Sequence, residues 1–251
     1  MKISFSIPAY NEEQRIARCL ESVQKEIVRA GMEGQVEIVV VNNASTDRTK
    51  EIAQSFPGVT VVDEQRKGLT FARQAGFEHS HGELIANVDS DTMVPPGWLD
   101  TVVRAFERDK SLVALSGPFT YYDLFPLSRF WVTCFYGIGY ITYLFNKYVL
   151  RVGAMLQGGN FVVRRDALEK IQGFDTSIRF YGEDTDVARR LSAVGNVVWT
   201  FRLPIYASGR RLAHEGIVKM GMRYALNYIW TTFTKKPWSE EYIDIRTDWR
   251  T

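Results

Sequence analysis

Residues 3–116 alternate between two hydrophobic periods, and that alternation restricts the chain to few architectures. Residues 3–8, 36–41, 59–62, 84–88 and 112–116 are short apolar runs of strand length. Between the first two, residues 12–30 set Ile16, Leu20, Val23 and Ile27 at helical spacing. Ser45-Thr46-Asp47 reads as the cap of a helix ending near Ser55, residues 69–78 as another helix, and Pro95-Pro96-Gly97 as the start of one reaching about Arg108. The 36–41 run is dense in β-branched residues, as a strand buried on both faces requires. Strand and helix in repeated succession predict an open, mainly parallel sheet covered by helices on both faces. In such α/β sheets ligands bind beyond the carboxyl ends of the strands, so chemistry is sought in the loops that follow strands.

The second half is less regular. Residues 157–164 and 197–201 read as strands, and 166–171, 183–194 and 220–234 as helices. Residues 124–150 are rich in aromatic side chains, and no charged residue occurs from Phe130 to Phe145. With no internal repeat and no linker-like stretch, residues 1–251 are expected to form a single domain with halves at 1–117 and 118–251.

Composition narrows the class of function. The chain is 45% hydrophobic and 24% charged, which suits a folded globular protein and excludes disordered and collagen-like classes. A net charge of +2 gives no bulk basic surface, so nucleic acid is not an expected partner. Cys19 and Cys134 are too few for a disulfide framework and fit a reducing compartment. The opening segment, MKISFSIPAYNEE, has too short an apolar run for a signal peptide, and no uncharged stretch reaches the ~20 residues of a bilayer span. A cytoplasmic location is the expectation, with peripheral contact at the inner face of a membrane as its variant.

Two acidic groups stand where chemistry is expected. Asp89-Ser90-Asp91 follows the 84–88 strand directly, so both carboxylates can face one site if the chain turns there. Hard oxygen ligands of this kind suit Mg²⁺ or Mn²⁺, which commonly take one or two carboxylates and complete their shell with substrate phosphates. An isolated Asp-x-Asp is most often a solvated turn, and its position at a strand end is what raises the signal. Gly182-Glu183-Asp184 opens a helix that also carries Asp186. Acidic residues in a first helical turn complement the helix dipole, which accounts for Asp186 more readily than for the adjacent Glu183-Asp184 pair. A carboxylate beside a substrate hydroxyl can act as general base. His79 and His81 read as surface residues, whereas His214 follows Arg210-Arg211 in a cationic segment. Imidazole can complete a metal shell, and guanidinium groups match diphosphate oxygens in bidentate fashion, although a solvated basic loop explains the same segment.

In order along the chain stand Ser6-Ile-Pro-Ala-Tyr-Asn11, Val41-Asn-Asn-Ala-Ser-Thr-Asp47, Lys67-Gly68 with Ala72-Arg73-Gln-Ala-Gly76, and Asp89-Ser-Asp91. Later come Gly158-Gly-Asn160, Arg164-Arg165-Asp166-Ala-Leu168, Gly173-Phe-Asp175 and Gly182-Glu-Asp-Thr-Asp186. Each is weak alone, but their succession resembles glycosyltransferase family 2 over nearly the whole chain. The resemblance implies a GT-A fold and transfer of one sugar from a nucleoside-diphosphate sugar to an acceptor hydroxyl, with inversion and a divalent metal. It implies that residues 1–117 hold the nucleotide sugar and 118–251 the acceptor. Pro8, Ala9, Tyr10 and Glu12 would line base and ribose, with Lys67 and Arg73 near the nucleotide. Asn42 and Asn43 stand where the family usually has aspartate. Amide groups donate as well as accept, so the base stays open among uracil, guanine and thymine. Asp89 and Ser90 would face the ribose and Asp91 the metal, with His214 as a second metal ligand. Gly159 and Asn160 would border the nucleotide sugar, Arg210 and Arg211 the diphosphate. Asp184 would be the base, with Glu183 as its neighbour.

The Gln-x-x-Arg-Trp signature of processive synthases is absent, so single transfers are expected. The aromatic 130–145 segment and residues 225–238, with Lys235-Lys236 beside Trp238, are explained equally by core burial, by an oligomer interface, and by peripheral membrane contact with a lipid-linked or glycan acceptor. Two other readings remain: a sugar nucleotidyltransferase, disfavoured because Pro8-Ala-Tyr-Asn-Glu12 lacks a glycine-rich, arginine-bearing loop, and a non-catalytic sugar-nucleotide or partner-binding module on the same fold.

Overall fold

The computed structural model describes residues 1–150, 154–178 and 181–234, with the side chains of 218, 229 and 231–233 left aside. In chain order the first elements are β1 (Ile3–Ala9), α1 (Ile16–Arg29), β2 (Val36–Asn42), α2 (Thr49–Gln54), β3 (Val59–Asp63), α3 (Leu69–His79) and β4 (Leu84–Val88). Next come β5 (Thr92–Met93), α4 (Trp98–Arg108), β6 (Leu112–Ser116), β7 (Phe119–Tyr121) and α5 (Pro126–Phe145), which a π-helical turn extends through Asn146–Leu150. The remainder is β8 (Asn160–Arg164), α6 (Arg165–Lys170), α7 (Glu183–Ser192), β9 (Asn196–Trp199), β10 (Ile205–Ala207), α8 (Arg210–Glu215) and α9 (Ile217–Thr234).

Seven strands form the main sheet in the order β3-β2-β1-β4-β8-β6-β9. All neighbours are parallel except β8, which runs antiparallel to β4 and β6. The mainly parallel α/β sheet expected from the sequence is therefore present. It draws strands from both sides of residue 117, because β8 and β9 complete the sheet that β1–β4 begin. Phe5, Ile7, Leu20, Trp98 and Phe106 fill one face beneath α1 and α4. Ile85, Phe161, Leu168, Val187 and Leu191 fill the other beneath α6 and α7.

A second sheet, β5-β10-β7, was not legible in the sequence, since strands of two or three residues carry no periodicity. Its placement matters. β5 begins directly after Asp91, and its antiparallel pairing sets Ala207 opposite Thr92. The chain leaving β10 thus enters α8 beside the strand-end acids.

Of the three readings of residues 130–145, core burial is the one the structure does not bear out. Only Val132 and Tyr143 of α5 are buried, while Leu127, Trp131, Ile138 and Ile141 are 70%, 60%, 66% and 68% exposed. The inward face is the polar one, because it covers the edge strand β9. The Tyr143 hydroxyl donates to the Val197 carbonyl at 3.3 Å, and Lys147 Nζ donates to the same carbonyl at 2.7 Å and to Asn196 Oδ1 at 2.8 Å. An edge strand presents unpaired backbone groups, and these side chains satisfy them.

Helix α4 shows how the layers are joined. Its N-terminal amides are met by Glu26 on α1, which is almost fully buried. Oε2 accepts the Gly97 N–H at 3.1 Å and Oε1 the Leu99 N–H at 2.9 Å, while Arg29 pairs with the same carboxylate. Orphan amides at a helix start are thereby satisfied by another helix. Glu26→Ala is expected to cost about 2 kcal/mol by stranding buried donors, read as a fall of several degrees in melting temperature, with Glu26→Gln falling less.

Candidate active site

The carboxyl edge of the main sheet gathers the residues singled out above into two charged groups. The first surrounds Arg73. This side chain points from α3 into the space between β4 and α7, with no exposure to solvent. Its Nη2 lies 3.2 Å from Asp89 Oδ1 and its Nε 3.2 Å from Glu183 Oε1, and its guanidinium sits over the Phe161 ring at 5.4 Å. Burial works against the guanidinium charge, but Glu183, Asp89 and Asp184 outweigh it, so Arg73 is held charged. It was expected to border the nucleotide. Its complete burial makes it instead the cation that holds the acids together.

The register of β8 explains why Asp89 and Asp184 meet. Antiparallel pairing sets Asn160 opposite Val88, so the turn before β8 lies beside the residue that follows β4. The Asp89 N–H points to the Gly159 carbonyl at 3.4 Å. Gly159 has a φ of +83°, and a Cβ there would stand 2.0 Å from Asp89 Oδ2, so both backbone and space demand glycine. One residue earlier, the Gly158 N–H donates to Asp184 Oδ2 at 3.1 Å. The Gly158-Gly159 turn therefore touches both acids.

Asp184 is half-buried at the start of α7, after Gly182 in a left-handed conformation. Its Oδ1 accepts the Thr185 N–H at 2.8 Å. Burial raises its pKa, and the Gly158 and Thr185 amides pull it back. Glu183 is more deeply enclosed. Burial pushes it up to about 8, against the opposing pull of Arg73 and with the charges of Asp184 and Asp89 adding to the rise. Asp186 is bound by Arg189 at 2.8 Å and Arg190 at 2.7 Å within its own helix, the local role its position suggested.

The second group lies around Asp91. Arg210 Nη2 is 3.0 Å from Asp91 Oδ2 and also contacts Glu12 Oε1. Glu12 is buried, and its N–H donates to Thr49 Oγ1 at 2.7 Å. Two carboxylates here already share one cation, so this donor set of hard oxygens fits a divalent ion. Among the described residues, no three His, Cys, Asp or Glu are grouped as a metal site. His214 stands one turn beyond Arg210 on α8, exposed, and is not gathered with Asp91 into such a group. Arg211 turns away to Glu215 at 3.3 Å, a residue that Arg223 also grips at 2.9 Å.

The loop after β1 completes the edge. Pro8 and Ala9 are buried within β1, and the Ala9 carbonyl accepts the Asn43 N–H at 2.8 Å. Lys67 Nζ donates to Tyr10 Oη at 2.6 Å and lies 4.0 Å from the Tyr10 ring centroid. Asn42 and Asn43 are both buried and engaged. Asn43 Nδ2 donates to the Glu64 and Arg66 carbonyls and its Oδ1 accepts the Gly68 N–H, so it shapes the loop that carries Lys67. Asn42 Nδ2 donates to Asp63 Oδ1 at 2.8 Å, which puts a carboxylate at this edge that sequence reading missed. The β2–β3 register, which the sequence does not show, sets Asn42 opposite Asp63.

Ser90 is buried at the end of β4. Asn160, expected to border the nucleotide sugar, is fully buried. Its Nδ2 donates to the Gly117 and Leu203 carbonyls at 3.0 and 2.8 Å, and its Oδ1 accepts the Trp98 Nε1–H at 3.2 Å. With both amide ends engaged, this side chain fixes the sheet.

The sequence model of glycosyl transferase family 2 matches residues 4–172. Glycosyltransferase AglE of Haloferax volcanii is 32% identical over 125 residues, covering 47% of this chain and 40% of that protein. The glucosyl-dolichyl phosphate glucuronosyltransferase of the same organism is 24% identical over 187 residues, covering 70% of this chain and 57% of that one. The chain thus spans between about two fifths and three fifths of the length of these relatives. In fold it is similar to the mannosyltransferase PcManGT of Pyrobaculum calidifontis, solved with GDP-Man and Mn²⁺, with a TM-score of 0.71 at 19% identity, covering 93% of this chain and 63% of the other. It is also similar to TarS of S. aureus in complex with UDP, with a TM-score of 0.66 at 18% identity, covering 94% of this chain and 73% of that one. Identities this low concern the fold, which is GT-A. The family match extends from β1 through α6 and takes in the strand-end acids, the glycine turn and the arginine between them: the chain belongs to glycosyltransferase family 2.

Proposed function

We propose that this chain transfers one glycosyl group from a nucleoside-diphosphate sugar to an acceptor hydroxyl, with inversion at the anomeric carbon. The observation that carries the reading is the convergence of Asp89 and Asp184 on one glycine turn, with Arg73 buried between Asp89 and Glu183. Similarity in fold to proteins solved with GDP-Man or UDP supports the donor class.

The roles are those that membership of glycosyltransferase family 2 implies for these positions. The loop of Pro8, Ala9, Tyr10 and Glu12 and the loop of Asn42, Asn43 and Lys67 border the nucleoside, and Asp89 and Ser90 lie on the ribose side. A divalent ion, Mn²⁺ or Mg²⁺, held by Asp91 with His214 would neutralise charge on the departing diphosphate. Arg210, already beside Asp91, adds positive charge where the leaving group gathers negative charge, a stabilisation larger in the transition state than in the substrate. Asp184 takes the acceptor's proton. Asp184 has two backbone donors, the Gly158 and Thr185 amides, that favour its ionised form against the effect of burial.

The acceptor is read as lipid-linked or a glycan presented near a membrane. A relative whose name specifies a glucosyl-dolichyl phosphate substrate supports the lipid-linked form. The exposed aromatic face of α5 supports peripheral membrane contact. Lys235, Lys236 and Trp238, which suggested such contact in sequence, lie outside the described residues, as does Arg151.

Turnover of a nucleotide sugar, measured as release of nucleoside diphosphate with Mn²⁺ present, tests this reading. Asp184→Asn is expected to lose ~10²–10⁴-fold in rate with its melting temperature preserved. Asp91→Ala is expected to lose the response to Mn²⁺. A chain that binds the donor and never turns it over contradicts the proposal and favours a binding module.

Stability carries an independent signature of Glu183. Its carboxyl titrates near 4.5 when unperturbed and at about 8 in the fold. Between those values the folded state keeps a proton that the unfolded chain releases, so this group's contribution to stability declines as pH rises. Urea unfolding across that interval is expected to show the decline in the wild type and a flatter profile in Glu183→Gln. Equal profiles contradict the assignment.

A further inference from the structure

Helix α5 turns the wrong face to water. In a helix that packs on a core, the apolar stripe faces inward and the polar residues face out. Here Tyr136, Tyr143 and Lys147 face the protein, and Leu127, Trp131, Ile138, Ile141 and Phe145 run along the solvent side at helical spacing. Helix α9 packs beside α5. Phe135 of α5 lies against Gly221 of α9, where a Cβ would meet its ring at 3.4 Å. Asn146 Nδ2 donates to Tyr228 Oη at 3.1 Å and ties the far ends together. Lys219, Met222, Leu226 and Trp230 share one face of α9, all exposed. No helix among the described residues is long and apolar enough to cross a membrane.

Charge identifies what covers this surface. Residues 124–165 contain no Asp or Glu, and neither do residues 216–238. Arg129 is exposed at the start of α5 and donates to the Leu124 and Tyr122 carbonyls rather than to a carboxylate. A second copy of the chain would bury such a patch against itself, Lys219 included, with no acid of these segments to meet it. A bilayer interface has what the patch lacks. Its boundary between headgroups and acyl chains takes Trp, Phe and Ile side chains, and anionic headgroups take the cations.

We propose that the exposed faces of α5 and α9 dock on an anionic membrane surface beside the carboxyl edge of the main sheet. The proposal rests on the glycosyl-transfer reading only where it assigns this surface to acceptor delivery. The same helices reach the site from within. The Tyr136 hydroxyl on the inner face of α5 donates to Gln157 Oε1 at 3.0 Å, and the next residue is Gly158, whose N–H holds Asp184. Tyr224 on α9 lies close enough to Asp184 to feel its charge. An acceptor anchored in the interface by a lipid would present its hydroxyl on the side of the site where Asp184 stands.

Flotation of the purified full chain with phosphatidylcholine vesicles, with and without phosphatidylglycerol, tests the proposal. The wild type is expected to float with the anionic vesicles and far less with the neutral ones. Trp131→Glu and Ile138→Glu replace exposed side chains, so both are expected to keep the wild-type melting temperature while the vesicle-bound fraction falls at least ~10-fold, as an interfacial free-energy penalty of about 1.4 kcal/mol gives. Three results overturn it: a wild type that stays in the soluble fraction with anionic vesicles, variants that float as well as the wild type, or light scattering that shows a dimer dissociated by Trp131→Glu without vesicle binding. Nucleoside diphosphate release measured without vesicles reports on the site alone, so loss of the docking proposal and loss of the enzymatic reading are separable.

Discussion

A single buried cation organises the functional end of this protein. Arg73 has no contact with solvent, and a guanidinium in that position persists only where carboxylates offset the loss of hydration. Asp89 and Glu183 do so at 3.2 Å each, from opposite halves of the chain. The charge thus fastens the start of α7 to the end of β4. It also keeps Asp184, one residue from Glu183, against the Gly158 amide. Without the arginine, several carboxylates would be buried in one small volume with nothing to balance them.

The reversed direction of β8 is the topological counterpart of that interaction. A parallel strand in its place would leave β4 and begin its own ladder at the opposite edge. An antiparallel strand starts where β4 ends, so its leading turn falls next to Asp89. Asn160 then locks the turn from below with three amide hydrogen bonds, and Gly159 gives the clearance that Asp89 needs. On the other flank, the short pairing of β5 with β10 brings Arg210 to Asp91 and Glu12. Two clusters of like design result: Arg73 between Asp89 and Glu183, and Arg210 between Asp91 and Glu12.

Much of this was legible in the sequence. The five strands of residues 3–116 and the helices between them follow from hydrophobic period alone, and the ordered motifs located the acids. The failures have physical causes. Periodicity does not report which side of a helix faces the protein, so the sequence left core burial and an exposed face as equal readings of α5, whose Tyr143 and Lys147 cover β9. A motif position tells that Arg73 and Asn160 belong to the site's neighbourhood, but burial decides whether they touch a ligand or hold its walls. Strands as short as β5 and β10 leave no pattern, and with them the route that brings α8 to Asp91 was hidden. Asp63 was overlooked because its relation to Asn42 exists only across the β2–β3 register.

Thermal unfolding of Arg73→Met beside Arg73→Met/Glu183→Gln tests the central claim most directly. If the buried guanidinium balances the acids, the single variant melts well below the wild type, and the double variant recovers part of the loss because fewer buried charges are left unpaired. A single variant that melts with the wild type, or a double variant that melts lower still, would contradict the account.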